Sequence, residues 1–195
     1  MKKYLLIALL LGSAWGAQWQ ERANEEGVIV WTMQTPRSSI DAFRATVTLD
    51  VPLEKAVAFV EDASRSHEWI MYCEADKVIA RTDDTHFVKH NIVDMPWPLS
   101  PRDSVANYTK TLSDDGNVVT ITFISDPNLL PLRDDTVRIE LLEGYWRFQA
   151  RTPNRTHITY EVLSEPKNLP AWMVNMGLVG QPLTTMKNLK QKLQH

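Results

Sequence analysis

The charged pair Arg102-Asp103 is the part of this sequence whose residue types are best suited to chemistry. It directly follows a proline-rich stretch, 96–101, which predicts an irregular loop before it. The planar guanidinium of arginine donates through a fixed fork that matches a phosphate or a carboxylate. The same two side chains would also suit a structural ion pair that fixes the loop onto a sheet. The sequence leaves both roles open.

Histidines and paired acids are the next candidates, and we expect neither to bind a metal. His86 and His90 lie in a stretch of β type, where four residues span about 13 Å and two side chains cannot share one ion. The aspartate pairs at 83–84, 114–115 and 134–135 lie among turn residues, which favours solvated turns over calcium ligands. No glycine-rich phosphate loop or Gly-x-Ser-x-Gly motif is present in the sequence. We therefore expect no metal and no cofactor.

The composition narrows the class of protein. A chain of 195 residues predicts one domain, and 21 Lys+Arg against 24 Asp+Glu give a net charge of -3. This balance offers no basic field for a nucleic-acid partner. A single cysteine, Cys73, excludes an internal disulfide framework, and its apolar neighbours at 69–72 predict that it is buried. Seven tryptophans supply material for a core or for the wall of a cavity.

The first sixteen residues have the order of a secretory signal peptide. Lys2-Lys3 is followed by the aliphatic run Leu5–Leu11 and then by small residues. The apolar run is well short of the roughly 20 residues that cross a bilayer. We expect cleavage after Gly16, export to the periplasm or the medium, and a mature domain at 17–195.

The mature chain begins with helix and strand signals. The polar stretch 18–26 predicts a helix that ends at Gly27, and strands are expected at 28–32 and 43–49. Pro52 suits the first turn of a following helix. That helix would bury one face, composed of Leu53, Ala56, Val57 and Val60.

Seven short β-type runs with turn residues between them come next. They lie at 77–80, 86–93, 104–112, 118–125, 136–142, 145–150 and 156–163. Such short connections favour antiparallel neighbours. From Pro170, apolar spacings of three, four or seven predict a helix of about 24 residues, kinked at Pro182. The sheet must cover one apolar face, so we expect an α+β fold in which a curved antiparallel sheet wraps around this helix.

This order resembles the StAR-related lipid-transfer (START) domain, which has a helix-grip fold with an internal hydrophobic cavity. Five stretches carry the resemblance, in the family's order and spacing. They are Gly27-Val28-Ile29-Val30-Trp31, Glu61-Asp62 through Glu68-Trp69, Pro96-Trp97-Pro98-Leu99-Ser100-Pro101-Arg102-Asp103, Val137-Arg138 and Leu169-Pro170-Ala171-Trp172-Met173-Val174-Asn175.

The resemblance implies a monomeric, non-enzymatic carrier of a lipid or sterol-like molecule, with transient contact to a membrane surface. It also implies a set of ligand-binding candidates in the cavity, with Arg102 available to the ligand head group. For the aromatic and methionine candidates, plain core packing is the competing role. The candidates are Trp97, Arg102, Asp103, Tyr145, Trp146, Trp172, Met173 and Met176.

Two other functions remain open from the sequence. Helix-grip relatives include polyketide cyclases, in which a cavity orients the substrate and a few polar groups move protons. Catalytic candidates for such an enzyme would be Arg102, Asp103, Tyr108, His90 and His157. The third possibility is an envelope interaction module that uses the cavity or the loops to bind a protein.

Overall fold

The computed structural model describes residues 18–167, 169, 174 and 177–194. Within them, ten strands form one curved sheet: β1 (Gln20–Glu25), β2 (Val28–Met33), β3 (Ala42–Leu49), β4 (Cys73–Arg81), β5 (His86–Val93), β6 (Arg102–Leu112), β7 (Val118–Ser125), β8 (Val137–Arg138), β9 (Leu141–Thr152) and β10 (Arg155–Glu165). The order across the sheet is β1-β2-β3-β10-β9-β7-β6-β5-β4, with every neighbour antiparallel. The short β8 pairs with β6 in parallel. The α+β fold expected from the sequence is confirmed.

The first strand corrects the helix predicted at 18–26. β1 pairs with β2, and Glu26 and Gly27 form the connecting turn with φ of 54° and 82°. A two-residue turn of this kind requires positive φ at both positions, so Gly27 is a hairpin glycine and not the end of a helix. The strand is polar because it lies at the edge of the sheet, where five of its six residues are exposed.

The predicted antiparallel strands are confirmed except in the run at 136–142 and at Gly144. β5 and β7 have the bounds of their predicted β-type runs. The run at 136–142 contains only the short parallel β8 and the first residues of β9. The turn expected at Gly144 is absent, since β9 continues through it. A Cβ atom there would overlap the carbonyl oxygen of Glu161 and lie 2.7 Å from the Phe123 ring. This glycine therefore serves a close approach inside the sheet.

Two short helices connect β3 to β4. Helix α1 spans Leu53–Glu61 directly after Pro52, and a 3-10 helix spans Ala63–Glu68. All four residues of the predicted apolar face of α1 are buried, as is Phe59. The carboxylate of Asp62 accepts the backbone N–H of Ser64 and so caps the 3-10 helix.

The last helix, α2, spans Gly180–Gln194 and lies against β2 and β3. The predicted helix is interrupted before it, because Val174 and Gly177 are also helical and a turn at Leu178 and Val179 separates them from α2. Pro182 lies in its first turn and has no N–H to donate to the carbonyl of Leu178, which explains why regular helix begins here.

The two faces of the sheet differ in what they contact. The inner face packs on α1 and α2, so Phe148 and Ile158 are fully buried against helix residues such as Met186 and Leu189. Because side chains alternate along a strand, the neighbours of these inward residues point to the opposite, outer face.

Candidate ligand-binding site

The inner face carries a series of contacting aromatic rings. Trp146 stacks on Tyr160 with ring centroids 3.9 Å apart, and Trp69 meets Trp146 edge-on at 5.6 Å. Farther across the sheet, Tyr108 stacks on Phe87 at 5.2 Å. The two stacked pairs form because their members are paired at inward positions on neighbouring strands, whereas Trp69 follows the 3-10 helix. Aromatic and apolar walls are the usual lining of a site for a small hydrophobic ligand.

A buried ion pair lies within this apolar lining. The Nζ of Lys89 on β5 donates to Oδ2 of Asp76 on β4 at 2.9 Å, and the two side chains are only 7% and 5% exposed. The hydroxyl of Ser66 in the 3-10 helix donates to the same oxygen at 2.7 Å. The Lys89 ammonium also lies 5.5 Å from the centre of the Tyr108 ring. Burying such a pair is costly, so it requires a structural or functional reason.

Several polar groups around this pair have no hydrogen-bond partner among the described residues. The Oδ1 atom of Asp76 is buried without a hydrogen bond among the described residues. The hydroxyls of Tyr108 and Tyr160 also make no hydrogen bond with another described residue. Burial, together with the charge of Asp76, raises the pKa of both tyrosines, so both hydroxyls keep their protons. A ligand with a polar end would satisfy these groups.

Cys73 borders the same cluster and is inert. It is 8% exposed, which confirms the predicted burial. Burial raises the pKa of its thiol to about 11, and the amide of Asn91 lies 3.6 Å from its sulfur. A protonated, buried thiol is a weak nucleophile, so it contributes packing and not chemistry.

Arg102 points to the inner side at the start of β6 and binds main-chain oxygens. Its guanidinium donates to the carbonyls of Ser100, Pro166 and Lys167, the last two at 3.3 and 3.2 Å. Burial lowers the pKa of Arg102. Within the described residues this arginine ties the end of β10 to β6, and no ion pair with Asp103 forms.

Asp103 points to the opposite side and belongs to a buried charge cluster. Its Oδ2 atom accepts from two nitrogens of Arg138 at 3.0 and 2.8 Å and lies 2.9 Å from Nε2 of His90. Desolvation would raise the pKa of Asp103, but the hydrogen bonds from Arg138 and His90 outweigh it and lower this pKa. Arg138 also donates to three carbonyls of the 126–136 loop. This cluster fixes a loop onto the sheet.

The other described ligand-binding candidates from the sequence do not lie together at one site. Trp146 lies in the aromatic series of the inner face, whereas the adjacent Tyr145 points outward and donates to Glu161 at 2.9 Å. Trp97 is 93% exposed in the loop before β6, so its indole does not contact the inner face. Three further candidates, Trp172, Met173 and Met176, lie outside the described residues.

Asp76, Lys89 and Ser66 were not among the residues predicted from the sequence. Lys89 had a usable signal, since it stands between Phe87 and Asn91 on the inward positions of β5. Asp76 had none, because two register shifts between β4 and β5 break the alternation that would reveal its direction.

In the described part of the chain, no three His, Cys, Asp or Glu side chains are close enough to hold a metal ion. Among the helices of that part, none has the length and apolarity needed to cross a membrane.

Comparison with known proteins identifies relatives over most of the chain. A family model described as the START domain matches residues 7–194. An uncharacterized protein of Pseudomonas aeruginosa is 29% identical over 180 residues, which is 92% of this chain and 88% of that protein. The crystal structure of a STAR-related lipid transfer protein from Xanthomonas axonopodis is 28% identical with a TM-score of 0.82, covering 91% of this chain and 99% of that one.

An enzyme also shares the fold at a greater distance. The Zhui aromatase/cyclase from a Streptomyces species has a TM-score of 0.52 at 12% identity, and the match covers 78% of this chain and 92% of that enzyme. This likeness concerns the fold alone.

Proposed function

This chain belongs to the START domain family, and we propose that it is a non-enzymatic carrier of one hydrophobic molecule. The ligand lies against the aromatic inner face, with its polar end at Asp76 and Lys89. The observation that carries this proposal is the buried Lys89–Asp76 pair with an unsatisfied Oδ1 atom inside an apolar interior.

The unsatisfied groups define the polar end of the ligand. Oδ1 of Asp76 accepts a hydrogen bond, whereas the Tyr108 and Tyr160 hydroxyls and the spare protons of the Lys89 ammonium donate. A hydroxyl group both donates and accepts, so it can satisfy both kinds of partner. We therefore expect a molecule with a rigid or chain-like apolar body and one terminal hydroxyl, such as a sterol-like alcohol or a monoacylglycerol.

The positions of the candidate catalytic groups favour binding over catalysis. Asp103 and His90 lie together on the outer side, Arg102 is engaged by carbonyl oxygens, and His157 is outward on β10 beside Thr48. Tyr108 faces the interior, as Arg102 does, but its raised pKa makes it a poor acid or base near neutral pH. These five residues therefore do not form one acid–base set.

Contact with a membrane surface is part of this proposal. The loops 94–101 and 126–136 lie side by side, since Val137 donates to the carbonyl of Pro101. Both loops expose large apolar side chains: Trp97 is 93% exposed and Leu132 is 75% exposed. Tryptophan is well suited to the membrane interface, so we expect this end of the sheet to touch lipid during ligand exchange.

Export is also proposed, on the order of charged, aliphatic and small residues at 1–16. Detecting the protein with its N-terminus at Ala17 in the periplasm or the medium would support this. A full-length protein confined to the cytoplasm would contradict it.

The carrier proposal is tested by native mass spectrometry and solvent extraction of the protein purified from its own host. We expect one bound lipid per chain. A consistently empty protein that also fails to bind a broad lipid panel would sink the proposal.

The polar end of the ligand is tested with a fluorescent sterol in its free-hydroxyl and esterified forms. We expect the free alcohol to bind about tenfold more tightly, and Asp76→Asn to remove most of that preference, since hydrogen bonds to a charged group are worth about 1.5–3 kcal/mol. Glu61→Gln is the control, because it neutralises the carboxylate of a different lysine pair, 2.8 Å from Lys110. Equal preference in wild type and Asp76→Asn would contradict the assigned polar end.

A further inference from the structure

The outer face of the sheet has a cleft of about 400 Å³ that is separate from the inner face. It lies over β2, β3, β10 and β9, near the first described residues. Two indoles form part of its wall, from Trp19 and Trp31, and Arg147 and Tyr145 line the side formed by β9. Its volume falls within the range of about 300–1,000 Å³ that is typical of small-molecule sites.

One side of the cleft is held rigidly by contacts within the protein. The guanidinium of Arg44 stacks on the Trp19 ring at 4.1 Å from its centre. The same guanidinium donates from Nε to Oε2 of Glu161 at 2.7 Å, and the Tyr145 hydroxyl donates to that oxygen at 2.9 Å. The charge of Arg44 is therefore balanced, and Trp19 and Tyr145 are fixed in place.

The other side of the cleft has a cation without a carboxylate. Arg147 donates to the amide oxygen of Gln149 at 3.1 Å and forms no ion pair with a described residue. The adjacent Thr46 and Thr159 are nearly buried at the cleft, and their hydroxyls bond to no other described side chain or carbonyl. A fixed aromatic wall thus faces an unbalanced guanidinium and two free hydroxyls.

The pKa of His157, which also lines this cleft, is lowered. Burial lowers its pKa first, and the positive charges of Arg151 and Arg147 lower it further. Since its ring is neutral near pH 7 and Glu161 is paired with Arg44, Arg147 leaves the cleft with a net positive charge.

We propose that this cleft is a second ligand site, which takes a flat ring bearing a carboxylate. The ring stacks against the tryptophans. The carboxylate accepts hydrogen bonds from the guanidinium of Arg147, in a bidentate geometry, and from a threonine hydroxyl. Aromatic faces bind flat rings, and the planar guanidinium matches a carboxylate in a bidentate geometry. Because Tyr145 and Trp146 point to opposite faces of the same strand, this site is independent of the interior ligand.

The test is a titration of the purified protein with 4-hydroxybenzoate and with its neutral analogue, 4-hydroxybenzamide, followed by the indole N–H signals of the tryptophans in NMR spectra. We expect the carboxylate to bind about tenfold more tightly than the amide, because a charge-assisted, bidentate contact is roughly twice as strong as a neutral one. The signals of Trp19 and Trp31 should shift most.

Arg147→Gln should weaken 4-hydroxybenzoate about tenfold, whereas Arg151→Gln should change it less than about twofold. Arg151 is the matched control, since it lies four residues along the same strand, is exposed, and is absent from the cleft lining. If Arg147→Gln fails to fold, Arg147→Lys keeps the charge but loses the fork, and it should still weaken binding several-fold.

Three of the results that would overturn this site are equal affinity for the carboxylate and the amide, equal losses in Arg147→Gln and Arg151→Gln, and a larger loss in Asp76→Asn than in Arg147→Gln. The last would place the probe in the interior, so the outcome for this cleft does not depend on the carrier proposal. Absence of any binding at millimolar probe would also overturn it.

Discussion

Asp76 and Asp103 are two buried aspartates on one sheet, but their surroundings differ and give them different roles. Each uses Oδ2 to bind a buried cation, and each has an Oδ1 atom without a hydrogen bond in the described part of the chain. The cation at Asp103 is Arg138, whose guanidinium also donates to three loop carbonyls. The cation at Asp76 is Lys89, whose other contact is the face of the Tyr108 ring.

The difference shows how a buried charge that stabilises the fold can be distinguished from a buried charge that is available to a ligand. The partner of Asp103 is fully engaged, so the cluster holds a loop and the sheet together. The pair at Asp76 keeps spare protons and lies beside two tyrosine hydroxyls that bond to no described residue. Burial does not distinguish the two aspartates, since both are buried. They differ in whether the cation paired with each of them is engaged by further hydrogen bonds.

Arg138→Met should give the largest effect, a loss of about 3–5 kcal/mol in the free energy of unfolding, because it leaves the buried charge of Asp103 with only the contact from His90 and removes the donor to three loop carbonyls. Urea denaturation measures it. Arg133→Met, in the neighbouring exposed pair with Asp135, is the control and should cost less than about 1 kcal/mol. A similarly small loss in the free energy of unfolding in both variants would contradict the role of Arg138 and Asp103 in holding the loop to the sheet.

Lys89→Met should cost less, about 1–3 kcal/mol, because Asp76 keeps the hydrogen bond from Ser66. The same urea experiment applies. The variant should also lose most of its affinity for the hydroxyl-bearing sterol, unlike Lys110→Met in the pair with Glu61. A stability loss larger than that of Arg138→Met would reverse the comparison.

Acid should affect the Asp103 cluster in a defined pH range. The folded-state pKa of Asp103 is lowered, so its stabilisation is complete above its unfolded value of about 3.9 and is lost as pH falls through the folded value. Asp103→Asn should therefore be less stable at pH 7, and its stability should fall less steeply below pH 4. If the melting temperatures of wild type and Asp103→Asn changed with pH in the same way, this role of the Asp103 carboxylate would be contradicted.

The smallest effect is expected from Tyr108→Phe and Tyr160→Phe. Their hydroxyls lack partners among the described residues, so removing them should change the free energy of unfolding by less than about 0.5 kcal/mol. Binding of the sterol alcohol should nevertheless weaken. Destabilisation above 1 kcal/mol with unchanged binding would show that these hydroxyls serve the fold.

The sequence predicted the elements better than it predicted the site. Runs of β-type residues bounded by turn residues located β5 and β7. Alternation also implies that Tyr145 and Trp146 cannot both line one cavity, a signal that was present but not used. The direction of Asp76 was beyond the sequence, since bulges in β4 remove the period from which it would be inferred.

The register shifts in the outermost strands, β1 and β4, have a consequence for the surface of the sheet. The sheet is open, so each of these strands presents unpaired backbone groups that another extended chain could join. Each contains a bulge, and charged side chains are frequent in both, from Glu21 and Arg22 on one side to Lys77 and Arg81 on the other. Bulges and charges oppose strand addition, which protects the protein against aggregation through its edges.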